Sequence, residues 1–256
     1  MDSRISNARA PLGNINDSPG LEERPDFIKA VETEGFWVVP SLLSDSRVEE
    51  VIAAIVVFLD ASEGEIRKYG VRNIASTVPA VRGFAETREV SNLVRAILGP
   101  HFQLVRSILF DKIPEANWKV AWHQDLTIAV EEKRDVTGYG PWSVKDGVVS
   151  VQPPREVLEG MLSVRIHLDP CGPNNGPLRV VSGSHRLGRL TGGQIDRITT
   201  EGKIVSCEVD MGGVVIMRPF LLHSSSPSRD PSHRRVVHLD FATGELHGGL
   251  RWSKRA

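Results

Sequence analysis

A chain of 256 residues, 40% hydrophobic and 25% charged, is ordinary globular material, long enough to bury a full core as one domain over residues 1–256. Its formal net charge of −1 gives no electrostatic footprint for nucleic acid, and no apolar run approaches a membrane span. Two cysteines, Cys171 and Cys207, make no disulfide framework, and residues 1–20 lack the apolar stretch of a secretory signal, so a cytoplasmic setting is expected, with no nucleic acid or membrane as partner.

Residues 1–23 are rich in Asn, Ser, Pro and Gly and read as a mobile arm. Pro25 opens a short helix that Gly35 ends, and residues 36–40 read as a strand. Ser44 or Asp45 then caps a helix whose Val48, Val51, Ile52, Ile55 and Val56 recur at helical spacing. A further helix is predicted over 86–98, stopped by Gly99-Pro100. After that the texture becomes β-rich: 102–113, 161–168, 178–181, 204–209, 214–217 and 234–241, punctuated by Gly, Pro and Asn. Many short strands with such punctuation predict a mainly β fold, a sandwich or jelly roll with the helices packed outside it. Residues 126–160 fit the strand rhythm poorly and predict a substrate lid, in which Tyr139 and Trp142 would be odd residues to leave in solvent. The basic tail at 251–255 reads as a solvated terminus.

Three His-x-Asp triplets carry the chemistry: His123-Gln124-Asp125, His167-Leu168-Asp169 and His238-Leu239-Asp240. On an extended strand, residues two apart share a side, so each pair offers an imidazole and a carboxylate to one ion. A non-haem iron(II) site of the two-His-one-carboxylate type needs a third, distant ligand. The pair at 238 has only His247 after it, and Asp169 is better explained as a turn former. The pair at 123 opens into the expected lid, and His223, delivered at the end of the apolar run 214–222, is the natural third ligand. Arg234, eleven residues further on, offers a fork for a carboxylate, so that a dicarboxylate could chelate the metal at one end and pair with arginine at the other.

With these pieces in hand, the chain resembles the phytanoyl-CoA dioxygenase family of iron(II)- and 2-oxoglutarate-dependent oxygenases. The matching residues are Trp122-His123-Gln124-Asp125, Asn175-Gly176-Pro177-Leu178 leading to Ser182-Gly183-Ser184-His185, Met211-Gly212-Gly213-Val214, and His223-Ser224-Ser225 with Arg234, across roughly 102–241. The resemblance implies a double-stranded β-helix (jelly roll, cupin-like) core, Fe(2+) on His123, Asp125 and His223, and 2-oxoglutarate held by Arg234 and Ser225. It also implies O2 as cosubstrate, release of succinate and CO2, and hydroxylation of a C–H bond. Gly213 departs from the family, which usually has Asp there, and 126–160 matches no general family pattern.

Arg106, Trp142 and Arg165 are the substrate-contact candidates, set against salt bridges or simple packing. An inward-facing Arg165 would want an anionic partner, which favours a small polar or carboxylate-bearing substrate. A cupin-like metalloenzyme without 2-oxoglutarate and a non-catalytic jelly-roll binding module stay open, and the oligomeric state is not legible.

Overall fold

A computed structural model describes residues 25–61 and 70–254; the arm expected over 1–23 lies outside them. The first elements follow the predicted order: α1 (Pro25–Thr33), β1 (Phe36–Val39) and α2 (Asp45–Ala61). After β2 (Val71–Arg72) come α3 (Ile74–Thr77), α4 (Pro79–Ala85) and α5 (Arg88–Leu98). The helix expected over 86–98 thus starts later, at 88. Thr87 N–H closes the preceding turn onto Phe84 O at 3.2 Å, and its Oγ1 then accepts from Val90 N at 3.3 Å as the cap of α5. The helices bury Val48, Val51, Ile55, Phe84 and Leu93 in one cluster with Leu162, Val164, Ile166, Val237 and Leu239. Each such side chain contributes roughly 1.5–3 kcal/mol of transfer free energy.

The β-rich part continues through β3 (Phe102–Asp111), β4 (Val120–His123), β5 (Ile128–Val130), β6 (Trp142–Lys145), β7 (Val148–Val151), α6 (Arg155–Glu159), β8 (Met161–His167) and β9 (Leu178–Val181). It closes with α7 (Gly192–Glu201), β10 (Ile204–Cys207), β11 (Val214–Met217), β12 (His223–Ser225) and β13 (Arg235–Thr243). Among the described residues the strands form a six-stranded sheet in the order β1-β11-β8-β13-β3-β2 and a four-stranded sheet in the order β10-β9-β12-β4. Every strand pair is antiparallel. The result is the jelly roll expected, with its helices outside.

Strand alternation sorts the six-stranded sheet. On β8, Leu162, Val164 and Ile166 join the helix-side core, so Ser163, Arg165 and His167 face the other way, into the roll. On β13, Val237, Leu239 and Phe241 do the same, leaving His238 and Asp240 inside.

Residues 126–160 are not the irregular connection expected. They fold into a separate three-stranded sheet, β5-β7-β6, followed by α6. Strands of three and four residues are too short to show a period in sequence. One face of this sheet carries Ile128, Val130 and Val151, which pack with Tyr139, Met161, Phe220, Leu246 and Trp252, and Trp142 leans on the same cluster. The tail is not a solvated terminus either. Glu131 N–H donates to Arg251 O at 3.0 Å and Ser253 N–H to Ala129 O at 3.1 Å, so the tail pairs along β5 while Trp252 is buried behind it. Arg251 and Lys254 both pair with the Glu131 carboxylate, at 2.6 and 3.2 Å.

The family departure at Gly213 has a steric reason. A Cβ there would stand 2.3 Å from Pro40 O, so the approach of the loop after β1 excludes any side chain.

Candidate metal centre

His123 and His223 sit directly opposite each other on the antiparallel pair β4/β12. Cross-strand partners project to the same face, and the two ring centroids are 4.1 Å apart. Each ring is turned by its own chain: His123 Nδ1 lies 2.8 Å from Ala121 O and His223 Nδ1 lies 2.8 Å from Leu221 O. A carbonyl accepts only, so Nδ1 carries the proton and Nε2 presents its lone pair to the site. Asp125 lies just beyond the end of β4 rather than on the strand. Its N–H donates to Pro219 O at 3.0 Å.

Between the two ligand candidates, Gln124 is turned inward and fully used. Its amide nitrogen donates to Gly188 O at 2.8 Å and Phe220 O at 2.7 Å, and its oxygen accepts from Leu190 N at 2.9 Å. These bonds fix the corner that brings Asp125 to the two histidines. Asp125 Oδ1 is 3.9 Å from His123 Nε2, and Oδ2 is 3.7 Å from His223 Nε2. Both distances exceed a hydrogen bond, so the groups converge without bonding one another. One donor atom from each lies within 4.8 Å of the others, the spacing of a set gathered around an ion. Burial pushes His223 down to about 4, so its ring is neutral and able to ligate at neutral pH. Burial works against ionisation of Asp125, but the facing His223 and Arg106 outweigh it and hold the carboxyl below its ordinary range.

A cavity of about 500 Å³ opens over this cluster. Arg234 and Ser225 line it, on the wall beside β12. Arg234 is buried, donates through Nη1 to Gly176 O and to Ser225 Oγ (3.1 Å), and its Nε meets no acceptor among the described residues. Gly176 has to be glycine: its φ is +57° and a Cβ would meet Ser226 O at 2.3 Å. The neighbouring Arg235 faces outward into a bidentate pair with Asp169, at 2.8 and 2.6 Å, which gives that aspartate a structural task beyond its turn. Sequence reasoning passed over Lys112, whose fully buried Nζ donates to Ser225 Oγ at 2.8 Å and Ser226 O at 2.6 Å. Burial and the nearby Arg234 guanidinium push Lys112 down to about 7.

The three substrate candidates fare differently. Arg165 is buried and lines the cavity, with Nη1 3.0 Å from His238 Nδ1. Burial, then Arg234, lowers it to about 10, which still leaves it charged at neutral pH. Arg106 also lines the cavity, but it is ion-paired with Asp240 and donates to Thr127 O at 3.2 Å. Trp142 does not reach the cavity. Neighbours on β6 point to opposite faces, so Ser143 and Lys145 line the cavity while Trp142 packs behind the sheet. The roof of the cavity is therefore the polar face of β5-β7-β6, which adds Ser150 and Val148. Of the rejected triplets, His238 Nε2 bonds Asp240 Oδ1 at 2.8 Å, and His167 is buried with neither ring nitrogen partnered among the described residues.

Comparison with known proteins agrees with this architecture. The sequence profile described as phytanoyl-CoA dioxygenase matches residues 31–236. No curated protein sequence matches the chain significantly. Among solved structures, EctD from S. alaskensis with 2-oxoglutarate and 5-hydroxyectoine is similar with a TM-score of 0.70 at 20% identity, over 96% of this chain and 89% of that one. The non-heme alpha ketoglutarate dependent carbocyclase SnoK from nogalamycin biosynthesis gives 0.67 at 16% identity, over 87% and 85%. AviO1 from Streptomyces viridochromogenes Tue57 gives 0.64 at 20% identity, over 89% and 98%.

Proposed function

The chain belongs to the phytanoyl-CoA dioxygenase family, and from that premise we propose that it is an iron(II)- and 2-oxoglutarate-dependent dioxygenase that hydroxylates a C–H bond of a small polar or carboxylate-bearing molecule. The donor set fits the metal: two imidazole Nε2 atoms and one ionised carboxylate on one side, an open cavity on the other. When bound, iron(II) with 2-oxoglutarate and O2 supplies the oxidising power and releases succinate and CO2.

The chain's own residues do the rest. His123 and His223, each tethered through Nδ1, present Nε2 with little freedom to turn away, and Asp125 completes the face. Retention of Asp125, rather than a small residue that would leave room for a halide, favours oxygenation over halogenation. Arg234, with Ser225 and Lys112 beside it, receives the distal carboxylate of the cosubstrate. The observation that carries the 2-oxoglutarate reading is this buried arginine, with a partly charged lysine beside it, around one serine hydroxyl, since a charge is costly to bury without an anion to meet it. The roof sheet covers the cavity and limits water. Two free, buried cysteines suit a reducing cytoplasm, and no described helix is long and apolar enough to cross a membrane.

Anaerobic titration with iron(II) and then 2-oxoglutarate tests the reading. A weak visible charge-transfer band is expected in the wild type and is expected to vanish in Asp125→Ala and His223→Ala. Absence of both the band and 2-oxoglutarate affinity in the wild type overturns it in favour of another metalloenzyme or a binding module.

A further inference from the structure

Arg165 is the polar side chain for which the site so far supplies no task. It is 8% exposed, lies on β8 opposite His238 of β13, and faces the cavity from the six-stranded sheet. Two neighbours fix its plane: Nη1 meets His238 Nδ1 at 3.0 Å, and the guanidinium stands 5.6 Å from the Phe110 ring centre. His238 is fixed in turn. Its Nε2 donates to Asp240 Oδ1 at 2.8 Å, which leaves Nδ1 as the acceptor for Arg165. Asp240 also takes Ser163 Oγ at 2.6 Å and the Arg106 ion pair, so its charge is already used. Among the described residues Arg165 makes no ion pair, and its Nε meets no acceptor. The guanidinium is thus aimed by the imidazole nitrogen, Nε is sealed inside the protein, and Nη2 at the terminal end is left without a protein partner among the described residues.

Charge decides what that terminal end receives. Iron(II), Asp125 and doubly ionised 2-oxoglutarate together leave one negative charge, which Arg234 balances. Arg165 is then in surplus, and Lys112 adds a further fraction of a charge. Asp125, a metal ligand in this reading, is the only carboxylate among the described residues lining the cavity. An ammonium group on a substrate would find no counter-charge there. The same wall supplies Ile108, Phe110, Trp118 and Val120, an apolar and partly aromatic surface.

We infer that the primary substrate is an organic acid with an apolar or aromatic body and no free amine, its carboxylate docked on Arg165, with His238 and Asp240 as positioning residues. This rests on the dioxygenase reading and narrows it. A carboxylate suits the terminal end of the guanidinium, where charged N–H groups can donate to its two oxygens. Carboxylates of the cosubstrate are the competing source of the same chemistry, and the experiment separates the two.

The experiment uses the full chain loaded anaerobically with iron(II) and 2-oxoglutarate, and calorimetry with a panel of aliphatic and aryl carboxylic acids, each beside its primary amide and its α-amino acid. At least one acid is expected to bind ~10-fold or more tightly than both counterparts, a difference of roughly 1.4 kcal/mol. Arg165→Gln is expected to abolish that preference, and Arg165→Lys to keep part of it, with 2-oxoglutarate affinity within about threefold of wild type in both. His238→Gln is expected to lower the acid-to-amide ratio without moving 2-oxoglutarate affinity, which a general loss of structure would also weaken. The inference is overturned if no acid outbinds its amide in the wild type, or if Arg165→Gln weakens 2-oxoglutarate as much as the acid. If either Arg165 variant fails to fold, the wild-type panel alone decides. Failure of the charge-transfer band would sink the dioxygenase reading itself, whereas a normal band with no acid preference would sink only this inference.

Discussion

At the scale of residues, the proposed metal face and the proposed cosubstrate pocket are built from different side chains. Arg234→Ala is expected to weaken 2-oxoglutarate by ~30-fold or more with iron retained, because a charged hydrogen-bond partner of a carboxylate is worth roughly 1.5–3 kcal/mol. Lys112→Met should cost ~10-fold in the same titration; unchanged affinity would make that lysine a purely structural donor to Ser225. Gln124→Leu removes the clamp at the corner while keeping its volume, so iron affinity should fall with the protein still folded, as read by metal titration beside a melting curve. The convergence of His123, Asp125 and His223 was legible because a short motif with a distant partner is a sequence pattern. Lys112 and Gln124 were not, because a lysine at the end of a strand and a glutamine inside a triplet look the same whether they face in or out.

At the scale of elements, the alternation on β8 and β13 explains both what could be read and what was passed over. Met-Leu-Ser-Val-Arg-Ile-His at 161–167 and Val-Val-His-Leu-Asp-Phe at 236–241 alternate apolar with polar, and that period already places Arg165, His238 and Asp240 on one face. Weighing the second strand only for metal ligands hid its part in aiming an arginine. The short helix α7 carried an overlooked signal of another kind, the Thr191–Gln194 capping box. The strands β5, β6 and β7 carried none, since three or four residues cannot display a period. They are held from behind by the tail, and Trp252→Ala is expected to cost ~3–5 kcal/mol of stability, measured by urea unfolding. Deleting residues 251–256 should loosen the roof more than the roll. Hydrogen exchange should then rise first in 128–151, and a uniform rise across the chain would contradict the strap.

At the scale of the whole molecule, the buried cluster around Asp240 ties stability to pH. Burial alone would raise this carboxyl, but the Arg106 ion pair and the hydrogen bonds from His238 and Ser163 outweigh it and hold it far below the carboxylate range. A folded-state depression of this sign stabilises fully above the unfolded value near ~4 and is lost as pH falls through the folded value. Asp240→Asn should therefore cost ~3–5 kcal/mol at pH 7 by denaturant unfolding, the usual loss on breaking a buried pair. The gap to wild type should shrink below pH ~4, and a deficit that stays constant with pH would refute the electrostatic account. Ligands add to this. Iron(II) with 2-oxoglutarate at a hundredfold excess over its dissociation constant should add ~2.7 kcal/mol, seen as a melting temperature several degrees higher. A chelator should reverse it.

The roof sheet touches the cavity with one face and is anchored by the other, and its strands take no part in the histidine pair, in Gln124's corner or in the arginine wall. Whatever the roof contributes to substrate choice is therefore written in a different stretch of the chain from the histidine pair and from Arg165. Single exchanges at Ser143, Lys145 and Ser150 are expected to alter substrate preference while iron(II) and 2-oxoglutarate binding stay in place, so a lineage built on this scaffold would change its diet at the roof and leave the roll as it is.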